Sequence, residues 1–276
     1  MTDRPPTPRS GAHTPRAGAR GPGDELDVVR LTDPDQLAAL LRREPVNPVD
    51  GLLDGSGVNR DQVLRRALRA RTGADRRVFA LVRPGDPSRV RTVVWVALTR
   101  GVPKSLTQIT EPTTTEPAPT DVGPLDTAVF WSIWNDDTGV TGRARGGDLI
   151  LGAADQLRAD LPTLTTFVTL SPAPGFRHHA EQAPIPPTSI ARAAARYLST
   201  LDPSGSPIDP VARFHLGNGA RLWRVVPDAD PSERGLARSF GLLVNYRYAP
   251  EDLAANKALL AQGTPELGDE VAALLH

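Results

Sequence analysis

Two short stretches near the start carry helix signals. "TDPDQLAALLRRE" places Asp33 at an N-cap, Pro34 at the first helical position and Gln36 three residues past the cap. "NRDQVLRRALRAR" repeats the arrangement with Asn59 and Gln62, and Val63, Leu64, Ala67 and Leu68 make one apolar face. From residue 76 the pattern changes. "RRVFALVRP" and "RTVVWVALTR" are strand-like runs split by the turn residues "GDPS", which predicts a hairpin, and "TAVFWSIWN" (127–135) is a third strand. Between them "TEPTTTEPAPTDVGP" (110–124) has no periodicity and reads as a surface loop. Helical spacing returns with Leu149, Ile150, Ala153, Ala154, Leu157 and Leu161, and Pro162 marks its stop. "TTFVTLS" is a fourth strand ending in the corner "SPAPGF", followed by a helix around 188–200. "ARFHLGNGARLWRV" (212–225) reads as a hairpin about an Asn-Gly turn, with His215 at its mouth. "SFGLLVNYRY" is a last strand, and a C-terminal helix starts at about 262. The order β-β-β-α-β-α-β-β-β-α predicts an α/β (α+β) fold with a mixed central sheet and few helices.

Composition narrows the function classes. The 276 residues suffice for one large domain or two small ones, and can bury a proper core. A formal net charge of zero supplies no field toward nucleic acid or an acidic membrane, so neither is expected as a partner. No apolar run approaches the roughly 18–20 residues of a membrane span. The absence of cysteine excludes disulfides, thiolate metal sites and a cysteine nucleophile, and agrees with a cytoplasmic location. Lysine occurs only at 104 and 257 among many arginines; with abundant Ala, Pro and Gly this points to a GC-rich bacterial genome. Residues 1–23 are rich in Pro and Gly and read as a disordered tail, and residues 24–74 as a short helical segment.

Candidate chemistry gathers in three places. "RARGGD" (143–148) lies between a strand and an amphipathic helix. There Gly146 and Gly147 let backbone approach an anion, and Arg143 and Arg145 add charged donors; a plain loop is the alternative. Arg143-x-x-Gly146-x-Asp148 resembles the pattern on which GNAT acyltransferases cradle the pyrophosphate of coenzyme A, apart from the Asp where a small residue belongs. Ser171 ends a strand before Pro172, the position of an ordinary turn serine or of a working hydroxyl. His215 is either a packed side chain or a proton-transfer group. Asn245 and Tyr248, three apart near the end of the last strand, fall on opposite faces, and Tyr246 reads as core. His178-His179 has no third ligand, so no metal is expected. Trp131 and Trp134 read as core or groove wall.

Several strings together resemble the catalytic domain of the malonyl-CoA decarboxylase family: "DRRVFALVRP", "WVALTRGVPKS", "TAVFWSIWNDDTGVTG", "FVTLSPAPGF", "DPVARFHLGNGARLWRV" and "RGLARSFGLLVNYRY". They come in the family's order over roughly residues 75–250. The resemblance implies a GNAT-like fold over 75–276 that binds an acyl-CoA and removes the malonyl carboxylate. It assigns catalytic roles to Ser171 and His215 and sets Tyr248 near the thioester. Arg143, Arg145, Gly146, Gly147 and Asn245 are the expected substrate or coenzyme A contacts. Coenzyme A enters as part of the substrate, with no separate cofactor. The chain departs from the family in its short N-terminal helical segment, in a short insert between the serine and histidine motifs, and in Ala144, where some members carry an acidic residue. Homo-oligomeric assembly stays an open expectation. The alternatives are a GNAT-type acyltransferase and an inactive acyl-CoA-binding protein.

Overall fold

The computed structural model describes residues 26–43, 60–110, 124–135, 142–182, 186 and 189–276. The tail expected over 1–23 and nearly all of the 110–124 loop lie outside the described residues.

One eight-stranded mixed sheet organises the chain. Its strands are β1 (Asp27–Arg30), β2 (Arg76–Arg83), β3 (Asp86–Thr99), β4 (Thr127–Asn135), β5 (Thr166–Thr169), β6 (Ser171–Pro172), β7 (Arg221–Val226) and β8 (Leu243–Arg247). Neighbours run β1-β2-β3-β4-β5-β8-β6, and β7 pairs β8. The β4–β5 pair is parallel and every other pair antiparallel. Side chains alternate between two covered faces. On β2, Phe79 and Leu81 enter one core cluster while Val78, Ala80 and Val82 enter another.

The first face carries α4 (Gly142–Asp160), α6 (Ile190–Ser199), α7 (Pro210–Gly217) and α10 (Asp269–Leu275). The second carries α1 (Pro34–Arg43) and α2 (Arg60–Thr72), with α3 (Thr107–Thr110) nearby. Short helices α5 (Phe176–Glu181), α8 (Glu233–Ser239) and α9 (Leu253–Ala261) complete the chain. The α1 signal holds: the Gln36 amide donates to Asp33 Oδ1 at 2.7 Å.

Two expected elements differ. The stretch 212–225 is a helix followed by a strand, not a hairpin. Asp209 caps α7 by accepting from Val211 and Ala212 N–H at 2.9 and 2.8 Å, and Pro210 follows at the first helical position. Asn218-Gly219 ends that helix. Gly219 takes φ +88°, its N–H meets Leu216 O at 2.9 Å, and the Ala220 N–H reaches His215 O at 3.1 Å. A type I′ turn needs positive φ at both central residues, and Asn218 is right-handed at φ −86°. Likewise "RARGGD" is not a loop: α4 begins at Gly142, so Gly146 and Gly147 are helical and buried. At the C-terminus, 253–261 and 269–275 are two helices instead of one from about 262.

The sheet opens in its middle. The parallel β4–β5 ladder ends at Phe130↔Thr169, with the Leu170 N–H on Phe130 O at 3.0 Å. Beyond that point β4 stays with β3 through Thr92↔Asn135, while β6 goes with β8 through Ser171↔Val244. Trp131 is the extra residue of a bulge between Trp95↔Ser132 and Val96↔Phe130, which bends β4 at the place where the strands part.

Candidate active site

Ser171 stands on β6 just past the parting point. Phe167 and Thr169 precede it at steps of two, so all three share the first face. On neighbouring β8 the same alternation sends Tyr246 to that face, and Tyr248 continues it just past the strand's end. Helix α7 packs over these side chains and brings His215 down between them. The imidazole Nε2 lies 3.1 Å from Ser171 Oγ, and Nδ1 lies 2.8 Å from the Tyr248 hydroxyl. Ser171 Oγ donates to Thr169 Oγ1 at 3.0 Å, and Thr169 Oγ1 also takes the Tyr246 backbone N–H at 3.1 Å. The Tyr246 ring stacks on the imidazole at 4.5 Å and 24°, and Phe214 meets it edge-on at 4.8 Å.

Burial sets the electrostatics. Ser171, His215 and Tyr248 are 8%, 3% and 2% exposed, so water reaches this chain poorly. Desolvation pushes the His215 pKa down to about 3, which keeps the imidazole neutral at physiological pH. Burial raises the Tyr248 hydroxyl far above its ordinary value. Tyr248 is therefore a phenol at any working pH. Behind α7, burial also raises the Asp209 carboxyl, against bonds from Ala212, Val211 and Tyr197 that favour its charged form. The Tyr197 hydroxyl donates to Asp209 Oδ2 at 3.2 Å.

Of the residues singled out from sequence, the structure brings Ser171, His215 and Tyr248 together. Asn245 lies on the opposite face, as its spacing from Tyr248 requires. It is fully buried, its Nδ2 donates to Thr169 O at 2.7 Å, and its Oδ1 has no partner. Gly146 and Gly147 sit in α4, where an added Cβ would strike the Phe214 ring and the Asn218 amide respectively. The side chains of Arg143 and Arg145 lie outside the described residues. Among the described residues no group of three or more His, Asp or Glu is placed to hold a metal, and His178 pairs with Gln182 at 3.2 Å. Sequence reasoning missed Thr169, and it read Tyr246 as core, which it is, without its stacking on the imidazole. Both share a strand face with Ser171 or Tyr248 at steps of two, a signal that alternation alone carries.

A mixed sheet whose strands part beside β4 is the arrangement of a GNAT-like domain. The loading GNATL domain of CurA from Lyngbya majuscula shares this fold, with TM-score 0.53 over 84% of this chain at 16% identity. Residues 61–189 and 180–276 match the malonyl-CoA decarboxylase C-terminal domain family, and the chain belongs to that family. A malonyl-CoA decarboxylase structure from Agrobacterium vitis is 32% identical with TM-score 0.74, covering 91% of this chain and 67% of that one. One from Rhodopseudomonas palustris is 31% identical with TM-score 0.71, covering 90% and 62%. The mitochondrial malonyl-CoA decarboxylase of Anser anser anser is 30% identical across 69% of this chain and 48% of its own length. The chain thus spans about half the length of the curated relatives it matches.

Proposed function

We propose that this chain is itself a malonyl-CoA decarboxylase, converting malonyl-CoA or a close malonyl thioester to acetyl-CoA and CO2. The observation that supports it most is the Ser171–His215–Tyr248 chain, closed at 3.1 and 2.8 Å where the sheet opens. In the reaction the bond between the α-carbon and the carboxylate breaks and CO2 leaves. The electron pair stays on the α-carbon and spreads onto the thioester oxygen as an enolate, so the substrate supplies its own electron sink. Net turnover consumes one proton, which ends on the α-carbon.

The residues divide this work. When the thioester binds, the Ser171 hydroxyl turns its hydrogen from Thr169 Oγ1 to the enolate oxygen and His215 Nε2 supplies the second donor; donors of this kind are worth about 2.7–4 kcal/mol each. A buried imidazole is neutral until an anion arrives. The substrate carboxylate, then the enolate, supplies the opposite charge that raises its pKa, so His215 is charged with a proton as the reaction needs one. The same low-polarity surroundings favour neutral CO2 over the bound carboxylate. Arg143 and Arg145 at the start of α4 hold the coenzyme A diphosphate, and Asn245 Oδ1, buried and unpaired, accepts from a pantetheine amide on the other face.

A hydroxyl beside an imidazole is also nucleophile–base geometry, which supports one second reading: acyl transfer through Ser171. Purified protein incubated with malonyl-CoA alone separates the two. Release of CO2 and acetyl-CoA, followed by mass, supports decarboxylation. Consumption only when an amine or carrier thiol is added makes the chain a transferase, and binding without turnover makes it an acyl-CoA-binding protein.

A further inference from the structure

Asp209 is a fully buried carboxyl that the proposed reaction does not use. A carboxyl removed from water must have its oxygens bonded. The α7 cap uses one of them: Oδ1 takes the Val211 and Ala212 N–H groups at 2.9 and 2.8 Å. The other, Oδ2, takes the Tyr197 hydroxyl of α6 at 3.2 Å. Tyr197 is held in turn by the corner that follows Ser171. An added Cβ on Gly175 would run into the Tyr197 hydroxyl and lie 3.8 Å from Asp209 Oδ2. The next residue, Phe176, packs on the Tyr197 ring at 5.9 Å, and His179 packs on it at 4.8 Å.

The serine corner and the histidine helix therefore meet twice. One meeting is the 3.1 Å contact of Ser171 with His215. The other, through Gly175, Tyr197 and Asp209, falls four residues past the serine and six before the histidine. Six helical residues span about 9 Å, so a shift at the start of α7 reaches His215 through less than two turns. Misplacing a reacting group by about 1 Å can cost about 100-fold in rate. We propose that Asp209 and Tyr197 are positioning residues for the proposed decarboxylation: the Tyr197–Asp209 bond ties α7 to the serine corner and so sets the Ser171–His215 separation. Bare Gly175 lets the corner close on that bond. The tie is distinct from helix capping, which Oδ1 performs alone. It acts on turnover only through Ser171 and His215, and so rests on the reading of those two as the working pair.

The test separates the tie from the cap. Asp209→Ser keeps a capping oxygen for α7 but has no second oxygen for Tyr197, and Tyr197→Phe removes the hydroxyl. Asp209→Asn keeps an oxygen for the cap and a polar group for Tyr197. In crystal structures of the full chain, the Ser171 Oγ–His215 Nε2 separation should stay near its wild-type value in Asp209→Asn. It should lengthen beyond about 3.5 Å in Asp209→Ser and Tyr197→Phe. With malonyl-CoA, well below their Tm, these two should lose about tenfold or more in kcat with KM within about threefold, while Asp209→Asn stays within about threefold of the wild type. The Asp209→Ser/Tyr197→Phe pair should be no worse than the poorer single variant, because either change breaks the same bond. If Asp209→Ser does not fold, Tyr197→Phe alone carries both readouts. A lowered Tm with unchanged separation and kcat, a loss in Asp209→Asn as deep as in Asp209→Ser, or losses that multiply in the double variant would each overturn the proposal. If the wild type folds but turns over no malonyl-CoA, the separation still decides the tie, and only the assignment of the reaction falls.

Discussion

Acidification should unfold this protein through His215. Its ring is held neutral in the folded state with a pKa of about 3, against about 6.5 in the unfolded chain. Between those values the unfolded state binds the extra proton, so stability rises with pH and is lost as pH falls below about 6.5. The slope for one proton approaches about 1.4 kcal/mol per pH unit, which makes the loss about 2 kcal/mol at pH 5 relative to pH 7.5. Placing the folded value a unit higher barely changes the loss at pH 5, because the unfolded chain is by then almost fully protonated and the folded one almost not at all. Asp209 titrates with the opposite sign, since its raised folded pKa costs stability as pH rises. The perturbation is therefore read as a difference: urea midpoints for wild type and His215→Gln at pH 7.5 and 5.0. Glutamine keeps a donor and an acceptor for Ser171 and Tyr248 and does not titrate, and every other group cancels between the two proteins. The wild type should lose about 2 kcal/mol more than the variant over this interval. Equal losses would mean that water or a charge reaches the ring, and the buried neutral imidazole on which the mechanism depends would be gone.

Ser171→Ala should lower malonyl-CoA turnover by at least about tenfold with little change in KM, because the hydroxyl acts on charge that develops during the reaction; an unchanged kcat would remove it from the mechanism. Arg143→Ala with Arg145→Ala should chiefly raise KM, and an unchanged KM would move the diphosphate site elsewhere. Gly219→Ala should cost at least about 2 kcal/mol, visible as a lowered Tm, because φ +88° strains a side chain and the added carbon meets the Leu253 carbonyl. Gly205→Ala, with φ +79° but open space around it, should cost clearly less, and equal costs would refute the steric part of that reasoning.

Much of the fold was legible because burial leaves a period in the chain. The continuous apolar runs in "RRVFALVRP" and "TAVFWSIWN" mark strands covered on both faces, and the spacing from Leu149 to Leu161 marks the helix that covers one of them. The misreadings occur where two local rules compete. "GNG" is both a hairpin turn and a helix terminator, and the choice is made upstream by Asp209 and Pro210, whose cap and ring start a helix before the turn is reached. "RARGGD" looks like a loop because glycine disfavours helices, and α4 tolerates the cost because its glycines are where α7 packs closest. The four residues of β1 carry too little pattern to be seen alone, since an edge strand is defined by its partner β2.

The site itself could be read only in part, and the reason is geometric. Ser171, His215 and Tyr248 come from β6, α7 and the end of β8, elements 44 and 33 residues apart along the chain. Nothing in the local pattern of any one of them specifies the others. What specifies the meeting is the sheet order, which sets β8 beside β5 and β6 and leaves β4 to part from them after Phe130. A serine placed two residues after Thr169 then falls on the arm of the opening, and any helix packed over β8 on that face lowers its inward residue onto Tyr246 and Tyr248. Proton transfer needs hydrogen-bond distances, and the two contacts at 3.1 and 2.8 Å require α7 to be held from both ends, by the Asp209 cap at one and the Asn218-Gly219 stop at the other. The "DPVARFHLGNGA" string is therefore specific for a mechanical reason: it encodes one short helix with both ends fixed and a histidine aimed at the strand below.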